Sequence, residues 1–363
     1  MLDKIFFFWY SLVMIFSGKD SIGLDIGSSY IKAVKLKEAK GGYELDLCHL
    51  HTLPPELIVD GSIIDSLRLA DSLKEMIKTA GMKTKDAAIS ISGHSSVIIK
   101  RISLPEMSEE ELSESIKFEA EQYVPFDIDD VNLDFQIIGP RDEPGQMDVV
   151  LVAVKKDIIN EYIQVVKEAG LNPIIVDIDS FALENMYGIN YEIEQGKNVA
   201  LLNIGASTIN LSILKGGISV FTRDSSLGSN LHTEALQREF NITYDLAEKL
   251  KRGEPVENVT PEDANAIIES ASEEILSEIS RSFDYYRSTT VHEDISEVIL
   301  SGGCALIKNF ASMIAERSGI ETKIAEPFRN IKIPKRFDVT YIEEIAPMMA
   351  VAVGLALRKQ GDR

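Results

Sequence analysis

The sequence predicts an α/β fold made of two related halves that face each other across a cleft. Three observations predict it. Alternating and continuous apolar stretches take turns with amphipathic ones along most of the chain, the pattern of strands interleaved with helices. A glycine-tipped hairpin near the start, IGLDIGSSYIKAV, returns as LLNIGASTINLSI, with Gly27 and Gly205 separated by 178 residues, about half the chain. A third glycine turn, EVILSGGCALIKNF at Glu297–Phe310, joins a buried strand to a helix. Consecutive backbone N–H groups at a glycine tip cradle anions, so the paired hairpins point to a phosphate-bearing ligand between the halves.

In the first hairpin, Ile22, Leu24 and Ile26 share one face of an extended segment, Asp25–Ser29 forms the turn, and Tyr30–Leu36 alternates as a second strand. No GxxxxGK[ST] pattern is present and the turn leads into a strand, so this is not a P-loop. Asp25 stands where a carboxylate holds Mg²⁺, usually through water. Lys32 offers a point charge to a phosphate. A polar hairpin with no ligand would account for the first copy alone; the second copy favours the ligand.

Further along, Tyr43–Leu53 is a third strand, broken by Pro54 and Pro55. Ser62–Ala80 has helical spacing and stops at Gly81, a favourable C-terminal residue. Ala87–Ile91 and Val97–Leu104 are strands. Ser108 and Glu111 form a capping box that opens a helix running to about Val124, before Pro125. Val131–Ile138 and Val149–Val154 are strands around a loop at Gly139–Gln146; Asp157 caps a helix ending at Gly170; Pro173–Ile178 is a strand, and Ser180–Tyr187 begins a helix.

After the second hairpin, Asp245–Lys251 reads DLAEKLK, which on a helix places Glu248 and Lys251 on one face. That face either grips ribose hydroxyls and adenine or is a solvated ion pair. Gly302 and Gly303 let backbone approach a ligand, and the helix start beyond them favours an anion or polar atom. Cys304 reads as a packed residue, since no histidine lies near it in sequence. Ile345–Leu357 is a helix rich in small residues, with Ala346, Ala350 and Gly354 four apart, and Val176–Gly188 is its counterpart in the first half.

Composition narrows the function. With 363 residues and 45% apolar residues the chain can form two or three cores. A net charge of −21 argues against nucleic acid and against adsorption to anionic lipid. Cys48 and Cys304 form no CxxC pair, which fits a reducing cytoplasm, and the five histidines show no HExxH spacing. The N-terminal run Ile5–Phe16 is too short for a membrane-spanning helix of about 20 residues and is followed by no A-x-A-like cleavage site. It reads as an anchor, a partner-binding tail or, the reading favoured here, sequence upstream of a true start at Met14.

Taken together, the motifs resemble the actin-like ATPase superfamily: DIGSSYIK its first phosphate motif, NIGAST its second, SGGCALI its adenosine motif, and the helices at Ser180–Tyr187 and Ile345–Leu357 its two connecting helices. The closer resemblance is to the PilM family of type IV pilus assembly, carried by GLDIGSSYIKAV, LPEMSEEELSESIKFEAEQYVPF, FALENMYG and LLNIGASTINLSIL. It implies an actin-like (ribonuclease H-like) two-domain fold with an inserted subdomain like that of the division protein FtsA. The expected boundaries are an apolar extension at 1–17, a first domain at 18–190 with its insert at about 86–155, a second at 191–342 with an outer part at about 229–296, and a C-terminal helix at 343–363 packing back on the first.

The resemblance also implies ATP and Mg²⁺ as ligands. Asp25 would hold Mg²⁺ through water. Gly27, Ser28, Ser29, Lys32, Gly205, Ala206 and Ser207 would contact phosphates, Glu248 and Lys251 the ribose and adenine, and Gly302 and Gly303 the adenosine. Asn203 stands where most of the superfamily has Asp, and an amide cannot supply a Mg²⁺-organising charge. Asp179 is the one candidate to orient an attacking water, so ATP binding is expected with slow or no hydrolysis. The implied partner is the cytoplasmic tail of PilN, and through it PilO, PilP and the pilus motor, with the protein cytoplasmic and recruited to the inner membrane; homo-oligomerisation fits the same picture. The alternatives are a sugar-kinase-like enzyme, an FtsA-like division filament and a relative of the secretion protein GspL.

Overall fold

The computed structural model describes residues 21–93, 95–141, 143–289 and 294–359. The apolar extension and Met14 lie outside them. Strand β1 (Ile22–Ile26) is wholly buried and forms a hairpin with β2 (Tyr30–Ala39), which pairs in turn with β3 (Gly42–Thr52). A two-stranded ribbon, β4 (Ile58–Val59) and β5 (Ser62–Ile63), precedes α1 (Ser66–Thr79). The helix expected over Ser62–Ala80 therefore begins later. Asp65 caps it by accepting from the Arg68 N–H at 3.0 Å, while Ile63 is spent on the ribbon.

β6 (Asp86–Ile91) runs parallel beside β1 in the first sheet. Its residues 87–91 are all buried, as in a strand covered on both faces. The expected insert boundary at residue 86 moves accordingly, because the separate sheet starts at β7 (Val97–Pro105). α2 (Glu109–Ala120) opens with the Ser108–Glu111 capping box but ends four residues before Val124. β8 (Val131–Pro140) and β9 (Gln146–Lys155) complete a three-stranded antiparallel sheet in the order β7-β9-β8. Ile116, Ala120 and Val124 pack on these strands, so that face of α2 belongs to the insert's own core. α3 (Lys156–Glu168) follows. Asp157 does not cap it; its carboxylate accepts from the N–H of Ile158 at 2.8 Å, within the first turn. β10 (Asn172–Ile178) joins the first sheet next to β6, and α4 (Asp179–Asn190) leads out of it.

The second half repeats the plan. β11 (Asn198–Ile204), β12 (Ile209–Lys215) and β13 (Ile218–Ser225) form an antiparallel meander. The helices α5 (Asn230–Phe240), α6 (Tyr244–Lys251) and α7 (Pro261–Thr289) build the outer part. β14 (Glu297–Ser301) then returns parallel to β11, followed by α8 (Phe310–Ser318) and β15 (Glu321–Ile324).

The chain finally goes back to the first half. β16 (Ile331–Lys332) pairs with β3, and α9 (Val339–Ile345), a 3₁₀ turn at Ala346–Met349 and α10 (Ala350–Ala356) follow. The continuous helix expected over Ile345–Leu357 is interrupted where Pro347 denies a backbone donor. The stretch Val339–Ala356 is apolar and long enough to cross a membrane, but 61% of it is buried inside the protein. Its small residues permit backbone contact. A Cβ on Gly354 would lie 1.7 Å from the carbonyl oxygen of Ala182 on α4, and one on Gly23 would lie 2.2 Å from that of Ala352. α4 and α10 thus share a core with residues of both halves, among them Val34, Ala88, Leu201 and Ile299.

Candidate nucleotide-binding cleft

The two hairpins obey the same geometry. Ile26 pairs with Ile31 and Ile204 with Ile209. The Gly27 N–H donates to the Tyr30 carbonyl at 3.1 Å, and the Gly205 N–H to the Thr208 carbonyl at 2.9 Å. Every one of these positions is offset by 178. The chemistry differs between the copies. Asp25 and Lys32 face each other across the first hairpin as an ion pair at 3.0 Å. The corresponding Asn203 and Asn210 form a neutral amide pair at 3.0 Å. Ser301 donates to the other end of the Asn203 amide at 3.2 Å.

Both tips point into one cleft. Ser28 Oγ and Ser207 Oγ lie 2.8 Å apart across it. The second tip is buttressed from behind, where the N–H groups of Ser229 and Asn230 bind the carbonyls of Gly205 and Ala206. Gly302 has φ +85°, and a Cβ there would be 2.3 Å from the Ile204 carbonyl oxygen, so only glycine lets this turn approach the hairpin. The residues after it form a 3₁₀ turn, Gly303–Leu306, and α8 begins only at Phe310. The expected helix start at the ligand is therefore replaced by backbone of the 3₁₀ turn.

α6 presents the polar face expected of DLAEKLK, but it is buried. Glu248 Oε1 accepts from Lys251 Nζ and from Thr233 Oγ1, each at 2.5 Å. Lys251 also reaches Thr233 at 2.9 Å and Ser229 at 3.3 Å. A solvated ion pair is thereby excluded, since both side chains are about nine-tenths buried. Asp179, the first residue of α4, also lines the cleft and accepts from Ser90 Oγ at 2.5 Å. Burial, reinforced by the charge of Asp25, pushes its carboxyl up to about 7.

All the residues singled out in the sequence line this one cleft: Asp25, Gly27, Ser28, Ser29, Lys32, Asp179, Asn203, Gly205, Ala206, Ser207, Glu248, Lys251, Gly302 and Gly303. Sequence reasoning missed Tyr30, Ser229, Arg252 and Met348, which line it too. Tyr30 was readable as the residue after the tip. Arg252 directly follows the DLAEKLK stretch and Met348 lies within Ile345–Leu357, but neither stands out there by its spacing, and Ser229 has no motif around it.

A family model described as type IV pilus assembly protein PilM matches residues 23–360. Among solved structures, a PilM–PilN type IV pilus biogenesis complex is similar with a TM-score of 0.83 and 28% identity, over 94% of this chain and 99% of that one. The ethanolamine utilization protein EutJ from Carboxydothermus hydrogenoformans is similar with a TM-score of 0.56 and 16% identity, over 93% of this chain and 89% of that one, a likeness of fold. The fold is actin-like, and, with a match that spans both halves and the cleft between them, the chain belongs to the PilM family of type IV pilus assembly proteins.

Proposed function

We propose that this protein binds ATP in the cleft and works as a cytoplasmic assembly component that docks the cytoplasmic tail of PilN. Through PilN it is recruited to the inner membrane and links PilO and PilP to the pilus motor. The observation that carries the ATP reading is the convergence of both glycine tips, the Gly302 turn and the buried Glu248–Lys251 face on one cleft. The PilN reading is supported by the family and by the similarity to a PilM–PilN complex.

The residues fit a nucleotide. Backbone N–H groups at the two tips, with Ser28, Ser29, Ser207 and Lys32, suit a polyphosphate. Glu248 and Lys251 are held rigid for the ribose and adenine, and Gly302 and Gly303 leave room for the adenosine. Among the described residues no group of three His, Cys, Asp or Glu side chains is placed to hold a metal. Asp25 therefore suits a Mg²⁺ ion that arrives with the phosphates and is held through water. Such an ion would neutralise phosphate charge when bound. Asn203 adds no charge to that task, and its amide is committed to Asn210 and Ser301. Asp179, with its carboxyl near neutrality, supports a slow hydrolysis in which it orients water.

Gly205→Asp tests the site. A Cβ at Gly205 has no neighbour closer than 3.5 Å, so the variant should fold. Its carboxylate would stand against a phosphate. Isothermal titration with ATP·Mg²⁺ should show binding to the parent and none to the variant, and equal affinity in a folded variant refutes the assignment.

A further inference from the structure

Helix α6 is attached to the first hairpin at both of its ends. At its N-terminal end, Tyr244 OH lies 3.3 Å from Ser29 Oγ. At its C-terminal end, Arg252 Nη1 donates to Tyr30 OH at 3.2 Å. Ser29 and Tyr30 are consecutive, and both belong to the first half, whereas Tyr244 and Arg252 belong to the second. Between these attachments lie Glu248 and Lys251, the polar face that looks into the cleft. Arg252 is aimed by a second partner, since its Nε donates to Glu254 Oε1 at 2.9 Å.

The pattern is selective. The phosphate end is bridged by Ser28 and Ser207, and a ligand held by both tips must part them. The α6 attachments can outlast phosphate binding: the Arg252–Tyr30 bond uses no phosphate-contacting group, and the Ser29 hydroxyl can accept from Tyr244 while donating to a phosphate. They do have to break for the halves to swing apart. We propose that α6 is a strap across the nucleoside end of the cleft, buckled to Ser29 and Tyr30, and that its release sets how fast nucleotide enters and leaves. This rests on the nucleotide reading above and adds to it a control over exchange. Tyr30 and Arg252 are positioning residues in this scheme, acting on the ligand through the closure of α6.

Stopped-flow kinetics with a fluorescent N-methylanthraniloyl derivative of ATP tests it, using the full chain with Tyr30→Phe, Arg252→Gln and the double variant. A gate slows both directions, so both entry and release should accelerate, by about threefold to tenfold for one hydrogen bond lost, while the dissociation constant changes less than either rate. The double variant should be no faster than the single ones. Faster release with unchanged entry would make these residues ordinary ligand contacts and overturn the strap, as would unchanged rates. Amide hydrogen exchange at Gly27–Tyr30 and Gly205–Thr208 in the ligand-free protein gives a second, independent readout. Exchange should speed up in Tyr30→Phe, and unchanged exchange counts against the strap. Should the parent bind no nucleotide, the site assignment fails, and the exchange data still decide whether α6 holds the halves together.

Discussion

Ser28 and Ser207 join the tips of the two hairpins, with their hydroxyl oxygens 2.8 Å apart. Together with Ser226, which donates to Asp60 at 2.7 Å, this bond closes the halves on each other. Each such bond contributes about 0.5–1.5 kcal/mol net, so the closed form is favoured yet can be opened by a ligand. Cysteines at both tip positions make this measurable. In Ser28→Cys with Ser207→Cys, oxidation should abolish ATP binding and reduction should restore it. The native thiols, Cys48 largely and Cys304 fully buried, should not interfere. Titration calorimetry of the oxidised and reduced protein checks this, and equal affinity of both forms would contradict the role of the tips.

Hydrolysis should be slow. Where the first hairpin has the charged Asp25, the second has Asn203, an amide already bonded at both ends. Turnover is expected well below the ~1 s⁻¹ at the low end of enzymatic rates. A phosphate-release assay on pure protein decides the point, and sustained release at several per second would exclude it.

The contact between α4 and α10 predicts a stability effect remote from the ligand. In Gly354→Ala the new methyl meets the Ala182 backbone, which cannot rotate away. A loss of about 1–3 kcal/mol is expected, visible as a lower melting temperature. A variant that melts with the parent would mean that the two helices do not pack in backbone contact.

Asp179 sets a pH dependence. Its carboxyl titrates at about 7 in the fold, against about 4 in an unfolded chain. Between those values the folded protein keeps a proton that the unfolded chain has released, so stability falls as pH rises through the window. Asp179→Asn removes the group. Urea unfolding across pH 4–8 should show a shallower decline, with the variant gaining on the parent at pH 8. Parallel profiles for both proteins would argue that Asp179 is solvated.

For the partner, we propose as seat of the PilN tail the rim where the insert meets the first half, outside the packed junction formed by Val97, Val150, Val152 and Val154 with Leu69 and Ile158. The buried Ile116, Ala120 and Val124 are not available to it, but the acidic residues nearby are: Glu121, Asp127, Asp129 and Asp130 are exposed and Glu119 half-buried. They would suit basic residues flanking a membrane helix. A synthetic peptide of the PilN tail should bind in fluorescence anisotropy, more weakly as salt rises, and Glu121→Lys should weaken it further. Crosslinking confined to residues 229–297 would place the tail elsewhere.

Much of the fold is legible in the amino-acid sequence, and so is the placing of both hairpin tips, the Gly302–Gly303 turn and the Glu248–Lys251 face around one cleft. The hairpins can be read because a glycine tip between two alternating segments suits a tight reversal of strands and little else, and their repetition ties them to a shared cleft. The Ser108–Glu111 box can be read because it is a local pattern. The limits are equally physical. Ile63 fits a helical stripe as well as a ribbon, and only its pairing with Ile58 decides. β6 reads alike as an insert strand or a central one, because its place depends on which neighbour it pairs with. Tyr244 and Arg252 matter through contacts with residues more than 200 positions away, which no spacing reveals.

The return of β16 and α10 to the first half bears on how the protein is made. The first sheet gains its edge strand from Ile331–Lys332, and Gly23 in its central region is covered by Ala352 and Ala356. A nascent chain halted near residue 190 therefore holds an unfinished layer with an uncovered apolar surface. The N-terminal half therefore cannot complete its sheet and its covering layer until Ile331–Ala356 is available to it. The contacts that finish the first half and those that bring the two halves together thus depend on the same C-terminal segment.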